Sequence, residues 1–178
     1  MPNRNKRFLQ NGAVVIFSFL LTILPMVSLI FFKVPKFVYM NMAGLFIFSS
    51  YFGALPSILY VILIQGLLIL SRQADGFVSY NLMLNLIHVL IPAFLVRRDR
   101  PYYFKILVSA LMLTIFARQG ALLLQRMTSL NFGDLSGLIN LQTMLSDLSI
   151  YLSSALITFV FFFCFDHLTK KAGRQKER

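Results

Sequence analysis

The sequence contains no tryptophan, a single cysteine and six acidic residues. One cysteine makes no intramolecular disulfide, and Cys164 stands in a run of phenylalanines with no metal-ligand spacing around it. It is expected to act as a small buried or lipid-facing hydrophobe. The shortage of carboxylates leaves no paired glutamates within an apolar run. There is also no phosphate-binding glycine loop, no paired-histidine zinc motif and no nucleophile elbow. An enzyme is therefore not expected, and no cofactor or metal is implied. Charged residues make up 13% of the chain, against roughly a quarter in a soluble domain.

What fills the space is hydrocarbon. Hydrophobic residues reach 58%, with 19 Phe and 8 Met, and the mean hydropathy is +0.75. One small water-soluble core could not hide that much apolar surface, whereas lipid accepts it. The expected fold is all-α: a polytopic membrane protein built as a six-helix transmembrane bundle. The first span is expected over Gly12 to Phe32, uncleaved and carrying Pro25, which should kink it. The second covers Phe37 to Ser50 and the third Ser57 to Leu70, separated by the punctuation Tyr51–Phe52–Gly53–Ala54–Leu55–Pro56. The fourth runs from Val78 to Val96, the fifth from Tyr103 to about Leu124, and the sixth from Leu148 to Phe165. Within the weakly hydrophobic stretch 125–146, Leu138 to Leu145 is expected as a short interfacial helix or re-entrant segment.

A net charge of +11 raises the question of nucleic acid. The basic residues, however, flank the apolar runs rather than forming a domain of their own, so anionic lipid is the expected partner and nucleic acid is not. With both termini inside, the cytoplasmic segments hold twelve Lys and Arg and the outer loops four: Lys33, Lys36, Arg72 and Arg126. That asymmetry satisfies the positive-inside rule for an even number of spans. Residues 1–11 then form a basic cytoplasmic N-terminus, 12–166 the membrane domain of a plasma membrane protein, and 167–178 a basic cytoplasmic tail. Asp166 and His167 read as a solvated helix end.

Polar residues inside the spans are the informative ones. Asn81, Asn85 and His88 are spaced i, i+4, i+7 and share one face of the fourth helix. Arg118, Gln119 and Gln125 fall in the outer half of the fifth, and Gln65 is mid-to-outer in the third. Asp147, Ser149 and Ser153 open the sixth from outside. Such groups are costly against lipid and are expected to line a polar cavity open to the outside or to satisfy one another. Arg118 is expected either to neutralise an anionic group on a small solute or to pair with Asp147. His88 is expected to be structural. No internal repeat and no ATPase motif is visible, so a solute could be moved only with energy from another subunit.

Met42–Ala43–Gly44–Leu45 followed by Phe52–Gly53–Ala54–Leu55–Pro56 is similar to the glycine-rich passage between the second and third spans of substrate-binding (S) components of energy-coupling factor vitamin transporters. Asn81 and Asn85, and the loop Asn131–Phe132–Gly133–Asp134, also resemble that family. The resemblance implies an outward-facing pocket for a vitamin or vitamin precursor. It nominates Lys36, Asn81, Asn85, Arg118, Gln119, Asn131, Asp134 and Asp147 as substrate-binding residues. It further implies docking onto a transmembrane coupling subunit with cytoplasmic ATPases. Where the family carries an alanine-x-x-x-alanine surface on the first helix, this chain has Gly12, Ala13 and Ser18. The alternative resemblance is to MreD-like scaffolds of the cell-shape machinery, which bind membrane proteins and no solute. There Asp75 would stand for the family's aspartate after the third span.

Overall fold

The computed structural model describes residues 2–32, 40–70, 78–96, 102–128 and 141–174. These form six helices and, among the described residues, no strand: α1 (Pro2–Phe32), α2 (Met40–Phe52), α3 (Ala54–Leu70), α4 (Val78–Leu95), α5 (Tyr102–Thr128) and α6 (Leu141–Arg174). The all-helical reading is correct, with shifted boundaries. Residues 141–145, expected in a separate interfacial segment, are the first turns of α6, while 138–140 lie outside the described residues. The helix of α1 continues unbroken through Pro25. The turn between α2 and α3 shrinks to Gly53, whose φ of +82° is a conformation that only glycine adopts without strain. The backbone N–H of Gly53 closes the last turn of α2 on the Ser49 carbonyl at 3.0 Å. Its own carbonyl accepts the Ser57 hydroxyl at 2.6 Å, tying down the first turn of α3.

Among the described residues, two helical segments are long and apolar enough to cross a membrane: Tyr103–Leu124, with mean hydropathy 1.8, and Met144–Thr169, with 2.1. The other apolar segments are shorter, namely Phe8–Ile23, Met42–Phe52, Ala54–Leu67 and Asn81–Leu95. At 1.5 Å per residue, the 13 residues of α2 reach about 20 Å, less than a hydrocarbon core of about 30 Å.

α2 is the axis of the bundle. Its residues Ala43 to Ser50 are all buried in succession, which requires neighbours on every side. α1, α3, α4 and α6 supply them. An amphipathic stripe would be wrong for such a helix, and MNMAGLFIFSSYF is apolar all round. Phe46 joins Val96, Ile106, Leu113, Tyr151 and Phe162 in one core cluster. Leu45 and Phe48, on the other side, join Tyr60, Val61, Ile64 and Val89.

Close approach of α1 and α2 depends on Gly44. A Cβ there would collide with Thr22 Oγ1 and stand 2.5 Å from the Ser18 carbonyl oxygen. Ser18 therefore faces into the bundle, fully buried, and is unavailable as a docking surface on α1. The α5 seam is also built from small side chains, with Ala110, Ala117 and Ala121 fully buried. Its opposite face carries Phe104, Leu111, Ile115 and Phe116, all exposed.

The α1–α2 and α5–α6 pairs run antiparallel. The Tyr51 hydroxyl at the end of α2 donates to Asn11 Oδ1 near the start of α1 at 3.0 Å. Tyr103 of α5 meets Phe159 of α6 at 4.7 Å between ring centroids, whereas Arg118, further along α5, meets the earlier residue Asp147. Buried hydroxyls are largely satisfied inside their own helices. Thr22, Thr114 and Thr158 each donate to the carbonyl four residues back, at 2.8, 3.0 and 2.8 Å.

Candidate functional site in the α4–α5–α6 layer

Three contacts close a triangle at one level of the bundle. Arg118 Nε of α5 lies 3.1 Å from Asp147 Oδ2 of α6. One turn along α6, the Tyr151 hydroxyl is 2.6 Å from Nε2 of His88 on α4. α4 returns to α5 where a Cβ on Gly120 would come within 3.0 Å of Ile87 Cδ1. The absence of that Cβ lets α5 approach α4 beside Gln119 and His88. Sequence spacing explains the rest: Asp147 and Tyr151 are i, i+4 on one face of α6, so one helix presents both polar groups to the same interior.

The burial is steep. Asp147 is 5% exposed and His88 2%, while the Arg118 side chain is 39% exposed. A carboxylate at that depth needs its counter-ion, and Arg118 provides it by reaching in from the edge. Along α4 the polar stripe descends from exposed Asn81, through half-buried Asn85, to buried His88. Two further polar atoms at this level are buried without a hydrogen-bond partner among the described residues: His88 Nδ1 and Gln119 Oε1. Gln65 Oε1 of α3 is a third such atom. Few buried polar atoms in a folded protein go unpaired, and the Ser18 and Ser50 hydroxyls elsewhere in the bundle are unpartnered in the same way.

Arg118, Gln119, Asp147 and Asn85 thus belong to one layer or its rim. Lys36, Asn131 and Asp134 lie outside the described residues. Ser149 and Ser153, expected to open the interior face of α6, are exposed and donate to their own helix, to the Ser146 and Ser149 carbonyls at 2.7 Å each. Periodicity explains this correction, because the interior face of α6 is set by Asp147, Tyr151, Ser154 and Thr158. Tyr151 escaped the sequence reading because a tyrosine in an apolar run looks like packing. Its position four residues after Asp147 was the available signal. His88 is buried and joins α4 to α6 by holding Tyr151 through one ring nitrogen, while Nδ1 has no hydrogen-bond partner among the described residues.

At the opposite end, half-buried Asp166 and exposed His167 do not end a helix as expected, because α6 continues to Arg174. Cys164 is a free, exposed thiol. Among the described residues, no group of three His, Cys, Asp or Glu side chains comes together to hold a metal ion.

Compared with known proteins, this chain matches no family model, no curated protein and no solved structure.

Proposed function

We propose that this protein is a six-span plasma membrane subunit, with both termini cytoplasmic, that captures a small water-soluble metabolite from outside. The membrane reading is supported by where the large side chains lie. Only 39% and 28% of the two span-length apolar segments are inside the bundle. Phe94, Leu156 and Phe163 stand on the surface, while Ser18, Thr22, Ser109, Ser154 and Thr158 are inside. Lipid accepts such an inverted distribution and water does not. The excess of basic residues on one side orients the chain.

Capture rests on one observation: polar side chains of α4, α5 and α6 converge in a buried layer that keeps unpartnered polar atoms. Under the topology above, that layer occupies the outer half of the bundle. The similarity to S components of energy-coupling factor transporters adds the expectation of a vitamin or its precursor, handed to a coupling subunit with ATPases. A thermal-stability screen of the detergent-purified protein against water-soluble vitamins and their precursors tests this. A ligand that prefers the folded state must raise the melting temperature.

The MreD-like scaffold is favoured by one specific observation, the Arg118–Asp147 pair, which lets two costly residues satisfy each other with no solute. Co-purification separates the readings. ATPase subunits support capture, and cell-wall proteins support the scaffold.

A further inference from the structure

We propose that the α4–α5–α6 layer selects a neutral solute carrying an N–H donor, and discriminates against anions. The inference rests on the capture reading and specifies its substrate class. Among the described residues, Arg118 is the only cation in the layer, and its charge is already met by Asp147 at 3.1 Å. An anion approaching the guanidinium would also stand beside a carboxylate that is 5% exposed, where water screens repulsion poorly. The charges of the layer's described residues cancel, so a neutral guest enters without that repulsion.

The atoms left open have the complementary chemistry. Gln119 Oε1 is a buried amide oxygen, an acceptor with nothing donating to it among the described residues. His88 Nδ1 is equally unpartnered, on a side chain 98% buried. With Nε2 engaged by the Tyr151 hydroxyl, Nδ1 either donates or accepts, according to which partner holds the shared proton. A fixed acceptor and an adaptable ring nitrogen each suit the N–H of a neutral amide or aminoheterocycle.

Matched amide and acid pairs test this on the full chain in detergent: nicotinamide against nicotinate, and benzamide against benzoate. The amide of each pair is expected to raise the melting temperature and to bind at least about tenfold more tightly than its acid, the equivalent of one hydrogen bond. Gln119→Leu, which removes the acceptor, is expected to lose that advantage. Gln119→Glu, which keeps an acceptor oxygen in the same place, is expected to retain the amide. Preference for the acids overturns the inference and leaves capture standing. Loss of the amide in both variants also overturns it, because the acceptor oxygen is then not what is read. No shift with any of the four probes, combined with co-purification of cell-wall proteins, overturns both.

Discussion

Arg118 and Asp147 meet at 3.1 Å across the α5–α6 interface, and the aspartate is almost completely buried while the arginine is not. The asymmetry sets how the pair responds to mutation. Arg118→Ala strands a carboxylate in the interior and is expected to cost on the order of 3 kcal/mol, the lower end for a buried pair because the guanidinium is partly exposed. Arg118→Ala combined with Asp147→Ala removes both charges and is expected to recover much of that loss. Melting temperatures of the two single variants and the double variant in detergent measure the coupling. Additive losses would show that the pair is not a structural unit.

Tyr151→Phe removes the hydroxyl that faces His88 at 2.6 Å and leaves both imidazole nitrogens without a protein partner among the described residues. The expected cost is about 1–3 kcal/mol, that of an orphaned buried polar group. His88→Phe on the same background is expected to cost less than it does alone, since the two deletions share one bond. Equal cost on either background would mean the contact carries no stability.

Gly44→Ala introduces a methyl group where Thr22 Oγ1 and the Ser18 carbonyl already stand. Overpacking of this kind is expected to cost about 1–3 kcal/mol and to lower the folded yield. Thr22→Ala removes the nearest of the colliding atoms, and it also releases Tyr60, whose hydroxyl donates to Thr22 Oγ1 at 3.1 Å. Partial rescue of Gly44→Ala by Thr22→Ala is the expected result, because the backbone contacts remain. Size-exclusion profiles and thermal melts of the three variants check it.

Orientation is open to a labelling test with single cysteines in a Cys164→Ser background. Asn81 is exposed near the outward end of α4 in the proposed topology, and the basic C-terminal tail is inside. A membrane-impermeant maleimide is expected to label Asn81→Cys on intact cells. Gln175→Cys should react only after lysis. The reverse pattern would turn the bundle over and put the polar layer on the cytoplasmic side.

Much of the architecture was legible because apolar runs and their breaks are local features. The α3 and α4 boundaries fall within a few residues of those expected from Gly53, Pro56 and the charged run after Val96. The start of α6 was not legible. Asn140, Gln142, Ser146 and Asp147 look like a loop in hydropathy, yet α6 is helical from Leu141, and a helix satisfies its own backbone whatever its side chains. The site was half legible. Arg118, Gln119 and Asp147 announced themselves as costly residues in apolar runs. Tyr151 did not, because its hydroxyl matters only opposite His88.

By itself the sequence determined that this chain is a set of apolar helices with cations flanking the apolar runs, since hydropathy and charge act on each segment independently. Tertiary structure alone decided that the Arg118 charge is answered by Asp147, that α2 is the axis, and that His88 and Gln119 are left with open atoms. Each of those facts depends on which helix faces which, and that is settled by close approach at Gly44 and Gly120 and by the pairing of buried polar groups, not by any property of one helix.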